Sequence, residues 1–239
     1  MTRTSILGVP VDRVDAEEAV GKVRELISDR RFRLLVTIDA LGMLKARKDP
    51  QYLAAIEESA MVLADGAGVV WAVEVLTGMR INRVSGVDFM LLLCRAAAEK
   101  RWKIFLLGAG KEVAEELAGK LESQFPGIQI VGAENGFFKN EEEVLGRIKN
   151  AGPDILFLAM GAPKQEKWAW QNREKIGQVL VMGVGGAFDV LSGRKKRAPL
   201  WMQRAGLEWL FRLIQEPCRI KRMIKLPAFV IKVLMEKYT

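Results

Sequence analysis

Lys103-Ile104-Phe105-Leu106-Leu107, then Gly108-Ala109-Gly110, then Lys111–Phe125, is the stretch whose reading decides the fold. Five residues of unbroken β-prone, mostly apolar sequence run into two glycines. An amphipathic helical pattern follows and stops at Pro126-Gly127. A strand with apolar side chains on both faces is what a sheet covered on both sides demands. The same rhythm recurs outward in both directions. Strands are expected at Arg33–Ile38, Met61–Ala64, Lys103–Leu107, Ile128–Val131, Ile155–Ala159 and Val179–Val184. Helices are expected between them: from Asp15 as N-cap, from Asp49-Pro50, over Gly86–Lys100, over Lys111–Phe125, over Glu141–Asn150 and over Lys164–Ile176. Alternating β and α segments predict an α/β fold, a Rossmann-like and mainly parallel sheet with helices on both faces.

The composition changes at Gly193. Residues 1–193 carry 25 Lys/Arg and 26 Asp/Glu, whereas residues 194–239 carry 12 and 3, so the tail holds more than the whole net charge of +8. Trp201, Trp209, Phe211, Ile214, Phe229, Ile231 and Leu234 interleave with those cations. Two units are expected: a catalytic body over 1–193 and a basic amphipathic helical appendage over 194–239 that completes the site. Helix is expected over Leu200–Glu216, broken by Pro217, and Pro227 precedes a last apolar–basic segment. A cationic, greasy surface suits an anionic membrane face better than nucleic acid. The same apolar residues would otherwise favour a homo-oligomer in solution.

Two cysteines imply no disulfide framework and a reducing compartment. The first residues, MTRTSILGVPVDR, lack the apolar core of a signal peptide, and no run is long enough for a membrane span. A cytoplasmic protein peripheral to the membrane is the expectation. The chain has no histidine. The usual proton shuttle, zinc sites and Ser–His–Asp arrangements are therefore out of reach, and a carboxylate in an unusual setting is the favoured base, with Lys or Tyr as alternatives that need larger pKa shifts.

Ligands of open α/β sheets bind at the carboxyl ends of strands. Gly108 belongs to a G-x-G turn there, readable as a phosphate approach or as a tight βα turn. Gly185 and Gly186 form another such turn, and Asp189 beyond them reads either as a nucleotide contact or as a cap. Asp65, in Ala64-Asp65-Gly66, reads either as a general base with a raised pKa or as the N-cap of the next helix. Arg83 reads as an anion clamp or a surface ion pair. In Gly161-Ala162-Pro163-Lys164-Gln165, Lys164 stands in a first helical turn, unfavourable for the helix dipole unless an anion binds there, and Gln165 is placed to read a base or sugar edge.

These segments, together with Val36-Thr37-x-x-Ala40, Arg83-Val84-x-Gly86, Asn135-Gly136-Phe137-Phe138, Gly161-x-Pro163-Lys164-Gln165-Glu166-x-Trp168, Gly183-Val184-Gly185-Gly186-x-Phe188-Asp189, Arg197-Ala198-Pro199 and Gly206-Leu207-Glu208-Trp209-Leu210-x-Arg212-Leu213-x-x-Glu216-Pro217-x-Arg219, resemble the TagA/WecG/CpsF family of bacterial glycosyltransferases. The resemblance runs in order from Thr37 to Arg222. It implies inverting transfer of a sugar from a UDP donor to a polyprenyl-diphosphate-linked GlcNAc at the cytoplasmic membrane face, with no cofactor and no metal. The sequence has no D-x-D motif for a divalent ion. The branch it most resembles moves N-acetylmannosamine from UDP-ManNAc in wall teichoic acid linkage-unit synthesis. Other branches use a ManNAc uronic acid, glucose or glucuronic acid donor. By position, the resemblance makes Asp65 the base, with Thr37 beside it. Gln165 would contact the donor and Arg83 a diphosphate, while Arg212, Arg219 and Arg222 would close over the site. Gly108, Phe137, Lys164, Gly185, Gly186 and Asp189 join the substrate-binding set. The family pattern has Asn two residues after the Thr. Here Asp39 stands there, an acceptor in place of an amide donor and a second carboxylate near Asp65.

Overall fold

The computed structural model describes residues 2–238, apart from the side chains of Arg219 and Arg222. Eight strands are described: β1 (Thr2–Ile6), β2 (Val9–Arg13), β3 (Arg33–Ile38), β4 (Met61–Ala64), β5 (Lys103–Gly108), β6 (Gln129–Glu134), β7 (Ile155–Ala159) and β8 (Leu180–Gly183). The last six form one sheet in the order β4-β3-β8-β7-β5-β6, every pair parallel. The six expected strands are these six, with shifts of at most three residues at their ends.

Alternate residues explain the unbroken apolar runs. Leu34, Val36 and Ile38 enter one core, and Leu35 enters the other. Likewise Leu156 and Leu158 face one side, and Ile155 and Phe157 the other. The helices over Ala16–Ser28, Gly86–Lys100, Val113–Gln124 and Ala187–Leu191 bury residues in the core that holds Leu35. Those over Ala40–Ala46, Pro50–Glu57, Ala67–Thr77, Glu141–Ala151 and Lys164–Gln171 bury theirs in the core that holds Val36. Asp15 closes a capping box with Glu18, and Asp49 caps the helix that Pro50 opens, as their positions predict.

Besides the helix over Ala40–Ala46, which was not expected, three features differ from expectation. The N-terminal residues form a β1–β2 hairpin, turned by Leu7 (φ 54°) and Gly8 (φ 77°). Two positive φ values suit a two-residue hairpin turn, but Leu-Gly lacks the Asn or Asp that signals one. Asp12 of β2, buried, accepts hydrogen bonds from Arg3 and, at 2.7 Å, from the Val62 amide. That bond covers the open edge of β4. Second, the helix expected over Lys164–Ile176 divides at Asn172. Third, the helix expected over Leu200–Glu216 is two, Leu200–Arg204 and Glu208–Gln215. Gly206 (φ +70°) makes the turn between them, and a Cβ there would stand 3.0 Å from that of Ala67.

The tail does not behave as one piece. Its final helix, Leu226–Tyr238, buries Phe229 and Val233 in the body's own core. Glu236 of that helix accepts from the Leu7 amide at 3.1 Å, tying the last turn to the hairpin. Outward it leaves Ile231, Leu234 and Met235 exposed, as Leu200, Trp201, Ile214 and Ile224 are earlier in the tail. Among the described residues, no helix is long and apolar enough to cross a membrane.

Candidate active site

Thr37 and Asp65 stand at the carboxyl ends of the adjacent strands β3 and β4. Thr37 alternates with Val36 and Ile38, so it faces the side covered by helix 86–100. Gly86 begins that helix and lies against both residues: a Cβ on it would meet Thr37 Oγ1 at 3.2 Å and Asp65 Oδ2 at 3.5 Å. The Gly86 amide donates to Asp65 Oδ2 at 3.3 Å. The alternative reading of Asp65, as N-cap of its own helix, is overturned. Gly66 (φ 102°) holds the N-cap position, and no side chain caps that helix. Asp65 serves instead the N-terminus of a helix that begins 21 residues later.

The Asp65 carboxyl lies deep among protein atoms, with 35% of its side chain open. Burial raises its pKa from the ordinary carboxylate value to about 6. Arg83, the Gly86 amide and Arg212 pull it down, and Asp39 adds to the rise. Arg83 Nε is 3.8 Å from Asp65 Oδ1. Its Nη1 donates to the Gln203 carbonyl at 3.3 Å, and its Nη2 donates to Glu208. Arg83 is thus a half-buried cation joined to both the body and the tail, not a surface ion pair.

Glu208 is the centre of this junction. Buried at the start of helix 208–215, it also lies 3.6 Å from Arg197 Nε and 3.8 Å from Arg212 Nη2. Arg197 in turn grips Asp88 of helix 86–100 with two hydrogen bonds, at 2.7 and 2.6 Å. The arginine-rich start of the tail is therefore seated on the body through carboxylates. Arg219 and Arg222, whose side chains lie outside the described residues, follow in the same tail.

Asp39 is the N-cap of helix 40–46 and accepts from the Gly42 amide at 2.6 Å. Gln165 is buried, and both ends of its amide are engaged within the protein. Its Oε1 accepts from the amides of Gly161 (2.9 Å) and Gly185 (3.1 Å), and its Nε2 donates to Glu166 at 2.8 Å. It pins the turn after β7 to the turn after β8. A Cβ on Gly183 would come within 2.4 Å of Gln165 Nε2, so a glycine there is a condition of that link. Glu166, fully buried, is pushed up to about 7 by desolvation.

Other members of the expected set are spread along the sheet edge. Lys164 is exposed at the start of its helix, and Gly185 (φ +50°) and the exposed Gly186 form an open turn. Asp189 pairs with Lys195 at 3.0 Å. At Gly108 (φ +136°), a Cβ would stand 2.6 Å from the Ala159 backbone, and packing alone accounts for the glycine. Phe137 follows β6 and is 79% exposed. β6 and β4 are opposite edges of the sheet, about 24 Å apart at ordinary strand spacing, so Phe137 and Asp65 do not share one subsite. Sequence reasoning assigned no role to Glu208 or Glu166. Each lay within a quoted motif, but nothing local marked either as buried.

A carboxylate of raised pKa beside a partly neutralised arginine, at the carboxyl edge of a parallel sheet, marks a candidate acid–base site in an α/β fold. The profile of the WecG/TagA/CpsF family of glycosyl transferases matches residues 4–239, and the chain belongs to that family. A protein of Bacillus subtilis (strain 168), named N-acetylglucosaminyldiphosphoundecaprenol N-acetyl-beta-D-mannosaminyltransferase, is 38% identical over 214 residues, covering 90% of this chain and 84% of that protein. A Bacillus spizizenii protein of the same name is 36% identical over 208 residues, covering 87% and 81%. One from Staphylococcus aureus (strain MW2), again of that name, is 31% identical over 237 residues, covering 98% and 93%.

Proposed function

We propose that this enzyme transfers N-acetylmannosamine from UDP-ManNAc to undecaprenyl-diphosphate-linked GlcNAc, inverting the anomeric carbon, in wall teichoic acid linkage-unit synthesis. The observation that carries the reading is the identity of 31–38% over nearly the whole chain with relatives named for that transfer. In the reaction, Asp65 takes the proton of the acceptor hydroxyl as its oxygen attacks the anomeric carbon. The bond to UDP breaks on the opposite face, and UDP leaves with the electron pair. A carboxylate with a pKa of about 6 is ionised at neutral pH yet more basic than an ordinary aspartate. Thr37, against the same glycine, is placed to hold the sugar. Arg83 and Arg212 supply positive charge to a diphosphate, the part a metal plays in other transferases. Gln165 acts through the two turns it joins, keeping Gly185 and Gly186 in place for the donor.

The enzyme works at the inner face of the membrane, held there peripherally by the tail. The support is its exposed Trp201, Ile214, Ile224, Ile231 and Met235 interleaved with Lys and Arg. In the absence of lipid the same residues favour self-association. A transfer assay tests the reaction: several UDP-sugars are offered with a short-chain polyprenyl-diphosphate GlcNAc acceptor, and products are identified by mass. Addition of an N-acetylhexosamine from UDP-ManNAc alone is expected. Transfer of glucose or a uronic acid instead would replace the donor assignment.

A further inference from the structure

Beside the Asp65 site lies a cavity of about 550 Å³ that the chemistry above leaves unused. Val70 and Trp71 of helix 67–77 form one wall, and Phe89 and Leu92 of helix 86–100 the other. Arg83 and Ser85 line it. Arg83 is 3.8 Å from Asp65, and Gly86, the residue after Ser85, donates to that carboxylate, so the cavity and the base share one loop. Leu200, 68% exposed, also lines it, so it opens to solvent at the tail. Arg204 borders it and makes no ion pair among the described residues. The carboxylates that line it are engaged: Glu74 with Arg80 and Asp88 with Arg197. A site of this volume is ample for a small ligand. Apolar walls with an uncompensated arginine fit an amphiphile with an anionic head.

We propose that this cavity takes the first isoprene units of the acceptor's polyprenyl chain, with its diphosphate at Arg204 and its sugar at Asp65. The assignment rests on the acceptor class given above. The chain then leaves past Leu200 toward the exposed apolar residues of the tail.

The test compares acceptors that carry methyl, geranyl or farnesyl diphosphate-linked GlcNAc, using the full chain and UDP-ManNAc. Acceptor KM is expected to fall about tenfold for each isoprene unit that enters. In Val70→Phe and Leu92→Phe, which fill the walls, that dependence flattens. KM for UDP-ManNAc and turnover of the methyl acceptor stay at the wild-type value. Leu200→Asn, at an exposed position that cannot threaten the core, weakens the farnesyl acceptor selectively. An equal KM for methyl and farnesyl acceptors in the wild type overturns the proposal, as does a raised KM for UDP-ManNAc in the wall variants. Calorimetry with farnesyl diphosphate alone separates this proposal from the transfer reaction. Wild-type binding that Leu200→Asn and Leu92→Phe weaken supports the cavity even if no sugar moves. Binding indifferent to these variants sinks it even if transfer proceeds.

Discussion

Arg83 donates a hydrogen bond to Glu208, 125 residues further along the chain, while its Nε faces Asp65 at 3.8 Å. One guanidinium thus connects the seating of the tail to the acidity of the candidate base. Replacing it by Met removes the cation that most lowers the pKa of Asp65. The acid limb of the kcat/KM profile, which reports the free enzyme, is then expected to move above about 6. Loss of charge on the leaving side adds a fall of about 10²-fold in turnover at neutral pH. A pH–rate profile of Arg83→Met with an unshifted limb would remove the electrostatic link.

Asp65→Asn separates catalysis from stability. Turnover is expected to fall by about 10²–10⁴-fold. The folded pKa of about 6 lies above the unfolded value, so the folded protein binds this proton more tightly. The favourable contribution is complete below about pH 4 and is lost as pH rises through 6. At pH 7 the ionised group is therefore a net cost. With a third of the side chain open, solvent screening limits that cost to about 1 kcal/mol. Thermal unfolding at pH 7 is expected to show a higher Tm for the variant, with the gain vanishing near pH 4. A variant less stable at both pH values would contradict the burial argument.

Asp39→Asn is the complementary change. Its side-chain oxygen still accepts from the Gly42 amide and keeps the cap, since Asn caps as well as Asp. The charge that raises the pKa of Asp65 is gone. The acid limb is expected to move below 6 and thermal stability to stay within about 0.5 kcal/mol. The amide also restores a donor toward the sugar, so KM for the donor is the second quantity to follow.

What was legible in the sequence, and what was not, follows from the range of the interactions. Strands such as Ile155–Ala159 were plain because a doubly covered strand must be apolar throughout, a property of five adjacent residues. Asp15 and Asp49 were plain because a cap acts three residues away. The hairpin was hidden because Leu7 takes the positive φ usually given to Asn or Gly, with its amide held by Glu236 at the other end of the chain. Asp65 was visible as a carboxylate at a strand end, but its local alternative as a cap was equally readable. Its choice of the Gly86 amide depends on how helix 86–100 crosses β3 and β4. Gln165 looked like a ligand contact, because nothing nearby in sequence tells that Gly161 and Gly185 converge on it.

Glu208→Gln tests the junction of tail and body. The wild-type carboxylate is buried against Arg83 and lies within 4 Å of Arg197 and Arg212. Gln keeps the shape and an acceptor for Arg83, but it leaves three guanidinium groups around a neutral amide. Removing one partner from a buried ion pair costs about 3–5 kcal/mol; the remaining hydrogen bond and the pairing of Arg197 with Asp88 place the expected loss nearer 2 kcal/mol. The tail should then lift from the body before the body unfolds. Limited proteolysis is expected to cut faster between Gly193 and Pro199, while the final helix stays attached through Phe229 and Val233. Added salt should recover part of the loss by screening the arginines from one another. Cleavage and Tm matching the wild type at low salt would mean that Glu208 does not hold the tail in place.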